Sequence, residues 1–468
     1  MEHLIPVGKV QPKHSTEVVN SRIGLGFEKL DRGVFDAEKA YDKVAALGVK
    51  WIRIQSGWAR TETEKGVYHW EWIDSIVDNL LLRRLRPWVC LCYGNALYSD
   101  MAKEVFGAAG VPPVHTEEEK QAWHDYVVAF VKHFKDRIHP YEVWNEPDGI
   151  WCWKTGVSAE EYGNFVCATA QAIREVDTEC EIYAGSVCLR DLFFIDTALR
   201  TGMADCIDAI TYHEYTADET TVFERVDTLR ALAHCYNPKI DIIQGESGSQ
   251  SRSDGNGALH HQSWTPSKQM RQLLRHTAAD LISNVKFISY FSAMDMIEAL
   301  NGKVGDQSSY MDFGYFGVIG ADFDENGIAS GNYTPKPSYY ALQNLASIFS
   351  ENFENATLPI LRLPQKNIPE RGYMDDHIGE VISGGFRRPN GACAFVYWTP
   401  TDLMTTTYDH FFTLQVAGIP GEIRLIDPAD GTIYQIPENQ IEDRGNNQKM
   451  LLHIPIRDYP LILTFGEF

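Results

Sequence analysis

Several features are missing from this 468-residue chain, and each absence removes a class of protein. It has no run of 18 consecutive apolar residues, so no membrane-spanning helix is expected. Its nine cysteines (Cys90, Cys92, Cys152, Cys167, Cys180, Cys188, Cys206, Cys235 and Cys393) include no Cys-x-x-Cys pair, which removes zinc ribbons and thioredoxin-like redox sites. Their odd number and their place in mostly apolar runs predict free, buried thiols. A Gly-x-Ser-x-Gly elbow for a serine hydrolase is absent. So are a His-Glu-x-x-His helix and a His-x-His first strand, which removes zincins and metal-dependent amidohydrolases. The Gly-x-Gly at 24–26 lacks the third glycine of a dinucleotide fingerprint. No metal and no cofactor are therefore expected. Basic residues are also short. Lys and Arg number 42 against 64 Asp and Glu, a net charge of −22. That is the wrong sign for a general nucleic-acid binder or for docking on anionic lipid. The N-terminus, MEHLIPVGKVQPKHSTE, has neither an apolar core nor a small-residue cleavage site, so a cytoplasmic location is expected of the sequence as it stands.

What is present is a soluble-type composition, 44% hydrophobic and 23% charged. The chain is too long for one ordinary core, although a barrel can hold roughly 250 residues in one domain. Its first 350 residues alternate two patterns. Short runs rich in Val, Ile and aromatics read as strands: IGLGFE (23–28), VKWIRIQ (49–55), PWVCLCY (87–93), YEVWNE (141–146), EIYAGSV (181–187), IDAITYH (207–213), IDIIQGE (240–246) and VKFISYF (285–291). Between and after them, stretches of helical spacing run over 36–48, 72–84, 116–136, 158–176, 192–202, 219–235, 266–282 and 336–349. Ser158 with Glu161 and Thr116 with Glu119 form capping-box patterns. Gly48 and Gly202 suit the position just past a helix end. Eight strands alternating with eight helices predict a (β/α)8 TIM barrel over 23–350, with an open doubly wound sheet as the structural alternative. The Gly/Asp/Asn-rich stretch 292–335 lies between the last strand and the last helix, where a long loop would cover the barrel mouth. Beyond about residue 352 the period becomes two, with runs at 379–388, 393–400, 411–418, 422–428, 432–437, 450–456 and 460–468 separated by turn signals. This predicts a β-sandwich domain over 353–468, to which residues 1–22 could add a strand.

In a βα barrel, polar residues at the C-terminal ends of strands read as functional. Here they are Glu28; Arg53 and Gln55; Tyr93 and Asn95; Asn145, Glu146 and Asp148; His213, Glu214 and Tyr215; and Glu246. Asp295 and Glu298 follow the eighth strand. Glu146 and Glu246 each close an apolar strand, the fourth and the seventh, and face each other over the mouth. Pro147 disfavours the helical region for Glu146 and is expected to keep it extended. Two facing carboxyls are the parts of glycoside hydrolysis, one protonated to assist the leaving oxygen and one ionised to attack. Their mutual repulsion separates their pKa values.

WNEP (144–147) on the fourth strand and QGES (244–247) on the seventh resemble glycoside hydrolase clan A, the retaining (β/α)8 enzymes. With IRIQ (52–55), TYHEY (211–215) and KPSYYALQNL (336–345), the chain most resembles family 39, which includes β-xylosidases and α-L-iduronidases and carries a C-terminal β-sandwich. The resemblance implies that Glu146 is the acid/base and Glu246 the nucleophile. It implies that Asn145 donates to the sugar 2-hydroxyl, that His213 and Tyr215 bond the nucleophile or sugar hydroxyls, and that Arg53 holds the nucleophile ionised. Two departures stand out. GESG lacks the aromatic that often follows the nucleophile. SYFSAMD, at the eighth strand, lacks the tryptophan platform of the clan, a place Tyr290 or Phe291 could fill.

Sugar rings present apolar faces to aromatics, and Trp58, Tyr93, Trp144, Trp151, Trp153 and Trp264 lie near strand ends or in their loops. Trp151 and Trp153, in the loop after the fourth strand, are the expected substrate contacts. His260 and His261 are read as solvated or capping. Glu28, Asp295 and Glu298 could bind sugar hydroxyls and would disfavour an anionic substrate. The sequence therefore points to a retaining glycoside hydrolase, exo-acting on a neutral terminal sugar and β-xylosidase-like, with an oligosaccharide or glycoside as partner. An endo-acting clan A glycanase and a catalytically inactive carbohydrate-binding barrel are the rival readings. Association of identical copies through the sandwich stays open.

Overall fold

Eight parallel strands close into a barrel in the computed structural model of the chain, which describes residues 1, 3–298, 302–304, 306, 311–363 and 380–468. They are β1 (Ile23–Gly26), β2 (Trp51–Gln55), β3 (Arg86–Leu91), β4 (Pro140–Val143), β5 (Glu181–Val187), β6 (Ala209–Glu214), β7 (Asp241–Ser247) and β8 (Ile288–Tyr290). Each pairs with its sequence neighbours, and β8 closes on β1 with Ile288 opposite Ile23. That closure replaces the open-sheet alternative. Gly24 makes it sterically feasible, because a Cβ there would stand 2.6 Å from the carbonyl oxygens of Ile288 and Trp51. Trp51, Trp88, Tyr183 and Phe287 pack together at the barrel floor, with Trp51 stacked on Phe287 at 4.4 Å.

The surrounding helices are α1 (Tyr41–Ala46), α2 (Glu71–Leu82), α3 (Glu117–Phe134), α4 (Ala159–Arg174), α5 (Leu192–Arg200), α6 (Thr220–Tyr236), α7 (Pro266–Ile282) and α8 (Pro337–Ile348). In α3, Trp123, Tyr126, Val127, Phe130, Val131 and Phe134 recur every three or four residues and are buried, so one stripe meets the barrel and the rest meets water. Thr116 and Glu119 form the full capping box. Ser158 caps α4 by accepting from Glu161 N, and the Glu161 carboxylate takes the Trp153 indole N–H at 2.9 Å. The helix predicted over 36–48 is split into a 3-10 turn, Ala37–Lys39, and α1.

A seven-stranded antiparallel sheet and a four-stranded sheet follow the barrel. The larger runs in the order Ile5–Lys9, Thr432–Gln435, Ile423–Asp427, Leu461–Phe465, Cys393–Trp398, Ile382–Arg387 and Glu354–Asn355. The smaller runs Ile360–Leu363, Asp409–Ala417, Gln448–Arg457 and Ile441–Gly445. Phe412, Leu414 and Val416 alternate into the core between them. Sequence periodicity missed Glu354–Asn355, Ile360–Leu363 and Ile441–Gly445. The first is two residues long and the last, IEDRG, is polar and almost wholly exposed, so neither carries a period to read. The run beginning at Gly379 starts as a strand only at Ile382; Gly379 itself lies outside the described residues.

The stretch 292–335 is largely built of two hairpins, Met296–Ile297 with Phe313–Gly314 and Ile319–Phe323 with Ala329–Pro335. Its residues 299–301, 305 and 307–310 lie outside the described residues. Barrel and sandwich meet along α6 and α7. There Glu219 pairs with Arg275 at 2.7 Å and accepts from Trp398 Nε1 at 2.6 Å, and Arg271 pairs with Asp458 at 3.0 Å. All nine cysteines are unpaired; five are buried, while Cys235 is exposed. Among the described residues no helix is long and apolar enough to cross a membrane.

Candidate active site

The C-terminal mouth of the barrel holds a cavity of about 660 Å³, walled by the ends of β1 to β4, β6 and β7 and by the loops after β5, β7 and β8. Glu146 and Glu246 both line it. One oxygen of each, together with a ring nitrogen of His213, falls within a 4.8 Å span.

Glu146 reaches the cavity by a route that the sequence did not suggest. β4 stops at Val143, and Trp144 and Glu146 have φ of 70° and 46°. Glu146 is therefore left-handed rather than extended. Pro147 favours an extended residue before it, so the surrounding fold overrides that preference here. A non-glycine residue there is strained by about 1–3 kcal/mol. Two bonds hold the turn: Glu146 N donates to Ser186 O at 3.1 Å, and Gly149 N to Glu146 O at 3.1 Å. The carboxyl is clamped on both sides. His213 Nδ1 lies 2.9 Å from Oε1, and Trp151 Nε1 donates to Oε2 at 2.5 Å. Burial pushes this carboxyl above the usual carboxylate range, against the opposing pull of the Trp151 N–H and the Arg53 cation.

Glu246 has a different environment. Arg53 Nη1 donates to its Oε2 at 2.8 Å, and the Tyr215 hydroxyl donates to its Oε1. Arg53 is fully buried above the Trp88 ring, 5.5 Å from the centroid. Burial works against its charge, but Glu142, with help from Glu246 and Glu28, outweighs it and keeps the guanidinium protonated. Nε and Nη2 donate to Glu142 at 2.9 and 2.6 Å, and Nη2 also donates to Asn145 Oδ1 at 2.8 Å. Glu142 is a supporting residue that the sequence reading passed over. The available signal was a lone acid in the middle of the otherwise apolar run YEVW.

His213 is fully buried beneath the two carboxyls rather than in the cavity wall, and Ser186 Oγ stands 3.0 Å from its Nε2. Burial holds its pKa down at about 4, so the ring is neutral near pH 7. Glu28 does line the cavity. Burial lifts its carboxyl to about 8, opposed by Arg53 at 3.4 Å and reinforced by Glu246. Its Oε2 is buried without a hydrogen-bond partner. Geometry alone would let Glu146, His213 and Glu246 ligate a cation. Arg53, a fixed positive charge bonded to Glu246, makes that trio a poor metal site.

Of the remaining expected residues, Tyr93, Asn145, Trp151, Tyr215 and Glu298 line the cavity. Trp153 does not. It is fully buried, 5.7 Å from both Trp144 and Tyr162, in an aromatic cluster behind the wall. Two positions separate it from Trp151, and the chain turns between them. Tyr290 is also buried away from the cavity, and Phe291 lines it instead. Asp295 is taken up by Lys336 at 2.6 Å and Gly317 N at 3.0 Å. Exposed His260 stands at the rim and lines the cavity, with its Nδ1 2.8 Å from Gly257 O. The structure also adds residues that the sequence reading did not assign to the site, among them Lys29, Arg32, Cys188, Leu189 and Phe316. Lys29 lies 3.5 Å from Glu298, and Arg32 Nε 3.4 Å from Asp31.

Comparison with known proteins bears on the same region. The model of glycosyl hydrolases family 39 matches residues 39–357. A β-xylosidase of Geobacillus stearothermophilus is 29% identical over 133 residues, which is 26% of this chain and 25% of that relative's length. Among solved structures, the GH39 enzyme from Xanthomonas axonopodis pv. citri superposes with a TM-score of 0.61 at 15% identity, covering 97% of this chain and 95% of the other. A monomeric β-xylosidase from Caulobacter crescentus CB15 gives 0.59 at 17% identity, covering 98% and 97%. At such identities these two structures speak for the shared fold.

Proposed function

We propose that this chain, which belongs to glycosyl hydrolase family 39, is a retaining glycosidase that removes a neutral terminal sugar, with β-xylosidase as the first activity to examine. The observation that carries the reading is the pair Glu146 and Glu246, with oxygens within a 4.8 Å span and held in opposite environments. Retaining enzymes place their carboxyls roughly 5–5.5 Å apart, whereas inverting ones leave roughly 6.5–9.5 Å for a water. The small span therefore supports double displacement.

In that mechanism Glu246, paired with Arg53, attacks the anomeric carbon. Glu146, whose protonated form burial favours, gives its proton to the departing glycosidic oxygen. A glycosyl ester forms on Glu246 as the C–O bond to the leaving group breaks. Water then enters, Glu146 takes its proton back from it, and the ester opens to the free sugar. Neutral His213 and the Trp151 N–H orient the Glu146 carboxyl, while Tyr215 orients Glu246.

Two further features support the finer points. The loops after β4, β5, β7 and β8 all contribute lining residues to the cavity, an arrangement that suits exo action. The two cations in its wall are each beside a carboxylate, Lys29 with Glu298 and Arg32 with Asp31, which suits a neutral sugar.

The test is a panel of p-nitrophenyl glycosides with wild type, Glu146→Ala and Glu246→Ala, with and without azide. One glycoside should be cleaved and both variants nearly inactive. Azide should then give glycosyl azides of opposite anomeric form in the two variants. If either variant keeps the wild-type rate, the pair is misassigned.

A further inference from the structure

The wall of the cavity is chemically two-sided. From β1, β2 and the loops after them come Glu28, Lys29, Arg32 and Gln55, and Glu298 joins them from the stretch after β8. Arg32 Nη1 and Glu28 Oε2 are buried there without a hydrogen-bond partner. That side offers donors and acceptors to a ring of hydroxyls. The opposite side, after β4 and β5, brings Trp151, Cys188 and Leu189 to Glu146. The nearby carboxylate, Asp148, is already engaged: Oδ1 accepts from Cys188 N at 3.2 Å and from Cys188 Sγ at 3.4 Å, and Oδ2 accepts from Leu189 N at 2.7 Å.

Leu189 also lines a second groove of about 150 Å³ between α5 and α6, where Leu192, Ile195 and Leu229 sit among the polar Arg190, Asp191, Glu224, Arg225 and Thr228. Leu189 thus belongs to both the cavity and that groove. Leu189 is 47% exposed, Leu192 40% and Phe193 75%. Ile150, two residues past Asp148 and so beside the same loop, is 57% exposed. Large apolar side chains left in water near a cavity mark a binding face.

A general acid must touch the glycosidic oxygen, so whatever lies beyond that oxygen rests against the groups around Glu146. We propose that the leaving-group side of the site is this apolar shelf, and that it takes the hydrophobic alcohol of an alkyl or aryl glycoside in preference to a second sugar. The alcohol departs carrying the Glu146 proton. The inference rests on the glycosidase reading of the cavity and adds the class of leaving group.

The experiment uses the full chain and one glycone, the sugar cleaved in the p-nitrophenyl panel. It compares that sugar as its glycosyl fluoride, ethyl glycoside, hexyl glycoside and homodisaccharide. Ethanol and hexanol are leaving groups of nearly equal acidity, so their ratio reports contact rather than chemistry. The hexyl glycoside should exceed the ethyl glycoside by about tenfold or more in kcat/KM, given four further methylenes to bury, and should exceed the disaccharide. Leu189→Asn and Phe193→Ser, both at exposed positions, should bring the hexyl/ethyl ratio down toward one. A wild-type ratio near one, a ratio that the two substitutions leave unchanged, or a disaccharide that is the better substrate, overturns the shelf. The glycosyl fluoride separates the two readings: if it too is not hydrolysed, the glycosidase assignment falls with the shelf.

Discussion

Tyr212 and His213 are neighbours on β6, yet they face buried charge clusters of opposite character. Tyr212 turns outward and donates to Asp280 on α7 at 2.5 Å, and His276 Nδ1 stands 3.0 Å from the same carboxylate. Close by, at the seam with the sandwich, Glu219 meets Arg275, and Arg271 meets Asp458. Each cation there has its own carboxylate. His213 turns inward to a mouth where one guanidinium, Arg53, is bonded to Glu142 and Glu246 and approached by Glu28, with Glu146 nearby. Matched charges neutralise one another and tie the barrel to the sandwich. An excess of buried acid cannot all ionise, so burial pushes Glu28 up to about 8 and raises Glu146 as well. Protons are then held where a reaction can use them.

Arg53→Ala should break the comparison hardest. It leaves Glu142 and Glu246 buried without their cation, and uncompensated buried charge costs roughly 3–5 kcal/mol. Denaturant unfolding should report that loss, and glycoside turnover should fall with it even at temperatures where the variant stays folded. Glu219→Ala should cost a similar roughly 3–5 kcal/mol by stranding Arg275. Its kcat, measured well below the unfolding midpoint, should stay close to wild type. A large kcat defect there would mean that the seam does more than hold the sandwich.

Glu28→Gln sharpens the mouth side through pH. The folded-state pKa of Glu28, about 8, lies above its ordinary value of 4.5. The folded chain therefore binds the extra proton between those limits, and its stability falls as pH rises through them. The Gln variant, which keeps a neutral side chain, should flatten that fall. It should gain on wild type above pH about 8 and differ little below pH about 4.5. Parallel stability curves for the two proteins across that window would show that Glu28 ionises normally. The smallest effect belongs to neither cluster: Thr116→Ala, which removes the cap of α3, should cost about 1 kcal/mol and leave turnover alone.

Much of this was legible in the chain. Both carboxyl candidates sit at the ends of apolar runs whose alternation with helical stretches already implies a barrel, and α7 runs over the residues its pattern marks, 266–282. Arg53 could be placed at the mouth because it is a polar residue near the C-terminal end of a barrel strand. Other residues were not legible, for particular reasons. Trp151 and Trp153 look alike in sequence, yet one bonds Glu146 and the other is packed beside Trp144. Glu142 looks like an interruption of a strand until Arg53, 89 positions earlier, is seen to bind it. Lys29 and Leu189 lie in loops with no period, so nothing local marks them as wall.

By itself the sequence determined the strand and helix periods, the order of units, and which strands end in carboxyls, because these follow from local spacing and burial preference. The tertiary structure alone decided which of those carboxyls share a guanidinium, which are cut off from water, and which aromatic faces the cavity. Those depend on distances across a closed barrel and on solvent exclusion, and both are set only when β8 meets β1.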